Sequence, residues 1–319
     1  MTKQRLLQIG RLPPGLEARL KAEHELYLLA DERDPQAFLT AHGGEFVGLV
    51  TSAGNGACAA LLAQLPALRV ISSFGVGLDK LDLVEAKRRG IAVGYTPDVL
   101  NDCVADTAIA LLLDVARRTA EADRYVRAGK WSTPGVANAF PLGRKVSGAK
   151  LGIVGFGRIG RTIAKRGEGF EMAIRYHTRN VVADAPYPHE PSLIELARWA
   201  DYLVVITAGG AGTHHLVDAA VLEALGPDGF IVNVARGSVI DEAALVAALQ
   251  ARRIAGAGLD VFEHEPTVPE ALWTLDNVVL LPHIASATRE TRQAMADRVF
   301  DNLQAFFAGR ELVSAAPLP

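Results

Sequence analysis

The stretch KLGIVGFGRIGRTIAKRGEGFEMAIRYHTRN, residues 150–180, decides the fold. The short apolar run over residues 151–154 suits a strand buried on both faces. Gly155, Gly157 and Gly160 follow in the spacing G-x-G-x-x-G, and a helical pattern follows them. Gly155 permits the turn, Gly157 lets the backbone approach a pyrophosphate, and Gly160 lets the helix lie against the strand. The free N–H groups at the start of that helix favour an anion. Strand, glycine turn and helix together predict a dinucleotide site over Gly155, Phe156, Gly157, Arg158, Ile159 and Gly160.

The end of the second strand bears on which dinucleotide. An acid there would bind the ribose 2′-hydroxyl of NAD. This chain has His177, Thr178, Arg179 and Asn180 instead, with no acid before Asp184. A guanidinium beside a hydroxyl suits a 2′-phosphate, so NADP(H) is the expected cofactor, with NAD(H) as the alternative.

At 319 residues two domains and a large core are expected. Half of the residues are hydrophobic, which excludes a disordered chain. A net charge of −3 without a basic block argues against nucleic acid as a partner. The two cysteines, Cys58 and Cys103, are far apart in sequence and suggest neither a disulfide framework nor a metal site. No signal-like segment and no apolar window of membrane-spanning length is found, so a cytoplasmic protein with no membrane partner is expected.

Strands and helices alternate along the chain, which predicts parallel sheets covered on both faces. Strands are expected over residues 5–9, 47–51, 70–73 and 91–93, with a helix capped by Asp34 between the first two. Residues 101–118 form an apolar helix, expected to be buried between domains or subunits and to continue as helix over 120–126. Residues 129–148 read as an irregular connection or inter-subunit arm, with Trp131 as packing. Helices capped by Ser192, Asp218 and Asp241 alternate with strands over 202–206, 230–234, 256–260 and 278–281. A last helix over 288–308 is long enough to pack back on the first domain. The expected division is a discontinuous substrate domain, 1–98 with 288–319, and a cofactor domain, 99–287.

Ligands of open parallel sheets bind beyond the carboxyl ends of the strands. Arg236, Asp260, Glu265 and His283 all fall just after predicted strands, where a cleft between two domains would lie. A cation, a carboxylate and an imidazole converging there suit acid–base chemistry on an anionic substrate. His24, His42 and His189 belong to no motif and are expected on the surface.

The segments SFGVGLDKLDL (73–83), TPDVLNDCVAD (96–106), LGIVGFGRIG (151–160), NVARGSVIDE (233–242), GAGLDVFEHEP (256–266) and NVVLLPHIASAT (277–288) resemble the D-isomer-specific 2-hydroxyacid dehydrogenases, and within them the NADPH-dependent glyoxylate/hydroxypyruvate reductases. The resemblance implies a Rossmann cofactor domain inserted in a flavodoxin-like substrate domain, both doubly wound parallel α/β sheets. It also implies reduction of a small 2-oxo acid to the D-2-hydroxy acid. Arg236 is similar to the family's substrate-binding arginine, Glu265 to its acidic partner and His283 to its acid/base. The N–H groups of Val76 and Gly77 would hold the substrate carboxylate, and Asp260 would meet the nicotinamide amide. Ile206, Thr207, Thr213, Val234, Ala235 and Ala285, with His283, would complete the cofactor site. His214 and His215 fall on a Thr-x-His pattern that usually serves structure near the cofactor. A homodimer is implied, built on the helix 101–118 and the arm 129–148.

The loop over 207–213 departs from the family's common His-x-Pro-Leu-Thr, with glycine at 209, 210 and 212, which makes its cofactor contacts less defined. An NAD-linked D-2-hydroxy acid dehydrogenase and a non-enzymatic dinucleotide-sensing corepressor on the same fold remain as alternatives.

Overall fold

The computed structural model describes residues 3–131 and 140–319. The chain gathers into two compact units, Met1–Leu100 with Ala287–Pro319, and Asn101–Ser286.

The first unit holds β1 (Arg5–Gln8), β2 (Glu25–Leu28), β3 (Gly48–Ser52), β4 (Val70–Phe74) and β5 (Ala92–Gly94). All neighbours are parallel, in the order β2-β1-β3-β4-β5, the doubly wound flavodoxin-like arrangement. Leu7 pairs with Tyr27 on one side and Leu49 on the other, and the core beneath contains Leu7, Leu49 and Ile71. The helix Arg289–Phe307, capped by the Thr288 hydroxyl, covers β4, where Ser72 Oγ donates to Val299 O at 3.0 Å. Just after β4, Gly75 has φ +139°, and a Cβ there would lie 2.6 Å from Ala53 Cβ. Its N–H donates to Thr96 Oγ1 and its carbonyl accepts from Thr96 N, so the start of the Gly75-Val76-Gly77 loop is pinned at both polar groups.

The second unit holds β6 (Lys150–Val154), β7 (Ala173–His177), β8 (Tyr202–Val205), β9 (Phe230–Asn233), β10 (Gly256–Leu259) and β11 (Val278–Leu280). The six strands are parallel in the order β11-β10-β9-β8-β6-β7. The order reverses between β6 and β8, which is where Gly155 leaves the sheet. Outside β7, among the described residues, only an isolated bridge, Tyr176 to His189, pairs.

Several local expectations need correction. The helix Asn101–Arg117 packs within its own unit rather than presenting its apolar face outward. Val115 and Leu111 sit where a Cβ on Gly256 or Gly258 of β10 would be only 2.9 Å away. Its polar side is tied by Arg166 to Asp102 and Asp106. Residues 120–126 are helical, as expected, but belong to a separate helix, Thr119–Arg127. Arg118 adopts φ 57°, and Asp114 Oδ1 accepts from Thr119 Oγ1 and Ala120 N, so a separate helix starts at Thr119. Neither glycine nor proline marks this break. His24 is buried against Phe307 and His189 is half-buried, whereas Trp131 is 75% exposed rather than packed. In the connection 129–148, residues 132–139 lie outside the described ones.

Candidate active site

The glycine turn has the geometry its spacing predicts. Gly155 has φ +99°, and a Cβ there would meet the Thr207 backbone at 2.7 Å. A Cβ on Gly160 would meet Gly155 O at 2.3 Å, so the helix Arg158–Glu168 can approach only without one. No side chain caps that helix, whose first N–H groups therefore suit a phosphate. The Phe156 ring stacks on Tyr176 at 4.3 Å, which leaves its backbone as the ligand-facing part. The residues present thus fit a dinucleotide.

At the end of β7, His177 Nδ1 is hydrogen-bonded to Glu190 O at 2.9 Å and Thr178 Oγ1 donates to Asn180 O at 2.6 Å. Arg179 is exposed and makes no ion pair among the described residues. Asp184, the nearest following acid, is paired with Arg161, whose guanidinium also lies over Phe156. The region is therefore net positive at Arg179.

Beyond β9, Asn233 clamps the turn that presents Arg236. Its Oδ1 accepts from Ala235 N and its Nδ2 donates to Arg236 O, both at 3.0 Å. Arg236 Nη1 donates to Ala235 O at 2.7 Å. The next residue, Gly237, rests on the backbone of the following strand's exit. A Cβ there would be 1.9 Å from Phe262 C and 2.2 Å from Glu263 N. Only glycine lets these two loops stack, and the stack sets Arg236 and Glu265 in one unit.

Glu265 and His283 form a pair, with Glu265 Oε2 to His283 Nδ1 at 2.8 Å. Glu265 Oε1 accepts from Phe262 N at 3.1 Å, so both carboxylate oxygens are held. Burial pushes the Glu265 carboxyl up, but the His283 hydrogen bond and charge, the Phe262 N–H and the Arg236 charge together hold it below its ordinary value. It is a carboxylate at neutral pH, and its bond to Nδ1 leaves Nε2 of His283 as the nitrogen that can exchange a proton with a substrate.

Asp260 explains how His283 is aimed. The carboxylate is 0% exposed, and its two oxygens accept from Ile284 N at 2.7 Å and Ala285 N at 2.9 Å. Its own carbonyl accepts from His283 N at 2.9 Å. His283 itself sits at φ 54°, a left-handed conformation that a non-glycine residue keeps only when its surroundings enforce it. Burial raises the Asp260 carboxyl, with the two N–H bonds opposing. These bonds hold the turn that presents His283, a role for Asp260 beside the nicotinamide contact expected of it. Asn233 and this second role of Asp260 were missed in the sequence. The only trace of Asn233 is its place at the head of N-V-A-R-G.

The remaining expected residues divide by exposure. Val76 and Gly77 follow β4 half-exposed, and among the described residues neither N–H donates to a backbone carbonyl. Val234, Ala235 and Ala285 are buried, so only backbone is available from them, while Ile206, Thr207 and Thr213 are half-exposed. Thr213 Oγ1 donates to Ala208 O at 2.7 Å, closing the glycine-rich loop on itself.

Residues 109–285 match the family model of the D-isomer specific 2-hydroxyacid dehydrogenase NAD binding domain. Glyoxylate/hydroxypyruvate reductase A of Arabidopsis thaliana is 46% identical over 299 residues, covering 94% of each chain. The 2-ketogluconate reductase of Gluconobacter oxydans is 43% identical, covering 98% of each. Among solved structures, an NADPH-dependent glyoxylate/hydroxypyruvate reductase from Sinorhizobium meliloti, in complex with NADP and malonate, superposes with TM-score 0.90 at 43% identity, covering 99% of this chain and 97% of that one. Among the described residues no helix is long and apolar enough to cross a membrane.

Proposed function

Because the chain belongs to the D-isomer-specific 2-hydroxyacid dehydrogenase family, and so is an NAD(P)-dependent oxidoreductase, we propose that it reduces glyoxylate, hydroxypyruvate or a related small 2-oxo acid with NADPH. The observation that carries this reading is the His283–Glu265 pair on the unit that presents Arg236. When bound, the dinucleotide supplies the hydride that the ketone carbon receives. The Arg236 guanidinium, a planar fork, holds the substrate's carboxylate and ketone oxygens together. The free N–H groups of Val76 and Gly77 take the carboxylate. As the ketone oxygen becomes an alkoxide, His283 Nε2 gives it a proton, and Glu265 compensates the imidazolium before that transfer. A spectrophotometric screen of 2-oxo acids with NADPH and NADH tests the proposal. Oxidation of neither cofactor by any of them would leave the sensor reading in its place.

The 2′-phosphate assignment rests chiefly on Arg179, since the Thr178 hydroxyl proton is already engaged. Arg179→Asp with Thr178→Ala is expected to weaken NADPH roughly ten- to a hundredfold, the worth of one charge-assisted phosphate contact, and NADH far less. Steady-state KM values for both cofactors check this, and a wild type that prefers NADH sinks it.

Glu265→Gln should lower kcat while NADPH affinity is kept, because an amide facing His283 Nδ1 no longer compensates the charge on the ring during proton transfer; turnover measured beside equilibrium NADPH binding checks this.

A twofold dimer is part of the proposal. The apolar face of the helix Asn101–Arg117 is already covered inside its unit, so the support comes from exposed apolar side chains beyond it, Val126, Trp131 and Leu142. Light scattering at micromolar concentration is expected to give twice the chain mass of 34.0 kDa.

A further inference from the structure

The glycine-rich loop after β8 ends in two adjacent histidines that the reductase chemistry does not use. The His214 and His215 rings stack with centroids 3.9 Å apart, and their Nε2 atoms approach one oxygen, Glu263 Oε1, at 3.8 and 2.9 Å. The three residues each offer one ligand atom within 4.8 Å of the other two. Ligands bonded to one zinc ion at about 2.0–2.2 Å stand roughly 3.4 Å apart at tetrahedral angles, so small ring movements suffice to close on an ion.

The cluster is held from behind. His215 sits at φ 50° with its N–H donating to Ser238 O at 2.8 Å. Glu263 N–H donates to Glu242 Oε2 at 3.1 Å, and the Glu263 side chain is mostly buried. Gly237 braces Glu263 N from the other side, as described above. A hydrogen bond from His215 alone would satisfy Glu263. It leaves the second imidazole unexplained, aligned with the first although its side chain is 55% exposed.

We propose that His214 Nε2, His215 Nε2 and Glu263 Oε1 form a binding site for a divalent transition-metal ion of the zinc class, with water in the open coordination position. Two imidazoles and one carboxylate are the donor set such ions take, and neutral imidazole with a carboxylate selects against calcium and magnesium. Occupation ties the loop that carries Thr213 to the segment that carries Glu265.

The test is a zinc chloride titration of the chelator-treated full chain against a chromophoric zinc chelator. One ion per chain is expected, and thermal unfolding of the wild type should rise with zinc. His214→Ala and Glu263→Gln should each weaken binding at least roughly tenfold. His264→Ala, next to Glu263 but outside the cluster, should bind as wild type does. The circular dichroism of each variant confirms that it is folded. A His214→Ala/Glu263→Gln double variant that binds zinc as tightly as wild type would place the ion elsewhere, on Cys58 or Cys103 for example, and overturn the proposal. Absence of binding by the wild type would overturn it equally.

Discussion

His283→Ala is expected to lower kcat by roughly 10²–10⁴, the usual worth of a positioned general acid. Without the imidazole, the developing alkoxide has to take its proton from water, and Glu265 Oε2 loses its hydrogen-bond partner. Affinity for the dinucleotide should persist, because the glycine turn and Arg179 lie on other loops of the unit. His283 is exposed enough that its loss should leave the fold intact. Equilibrium binding of NADPH measured beside turnover separates the two effects. Near-normal kcat in this variant would mean that another group donates the proton.

Asp260→Asn is expected to harm both stability and turnover, although it alters a single atom. The carboxylate accepts from two buried N–H groups, Ile284 and Ala285, one on each oxygen. An amide offers one acceptor and turns a donor towards the other N–H. A buried donor left without a partner costs about 1–3 kcal/mol. For a unit of this size that is a fall in Tm of roughly 2–12 °C. The same loss releases the left-handed turn at His283, and misplacing a catalytic group by about 1 Å costs on the order of 10² in rate. The pattern of the outcome discriminates between roles. A fall in kcat and Tm with NADPH affinity kept assigns Asp260 to the His283 turn. A loss confined to NADPH affinity assigns it to the nicotinamide instead.

Local chemistry made much of the fold legible. Asp34, Ser192, Asp218 and Asp241 each cap the helix that follows them, because a cap is a contact across two or three residues. The helix Pro14–Glu23 and the edge strand Glu25–Leu28 escaped notice. The helix buries only Leu16 and Leu20, and the strand has one neighbour, so neither has a strong apolar period. Arg236, Glu265 and His283 were legible as polar residues after strands within motifs. What aims them was not, since it depends on partners distant in the chain. Asp260 reaches residues 24 and 25 positions away, and the Gly237 stack depends on Phe262 and Glu263. His24 was misjudged for the same reason, because its neighbour Phe307 is almost a chain length away.

The assembly of the first unit from both chain ends bears on the order of events at the ribosome. Residues 1–100 emerge before the inserted unit, yet the face of β4 that carries Ser72 has no cover until the helix Arg289–Phe307 follows, when Ser72 finds the Val299 carbonyl and Tyr95 O meets Asn302 and Ser314. The inserted unit Asn101–Ser286 is continuous and has all its strands as soon as Ser286 is clear. Domains ordinarily fold from the N-terminus as they are made. Here the inserted unit can finish before the unit that precedes it in the chain, and residues 1–100 stay incomplete until the helix Arg289–Phe307 has been made.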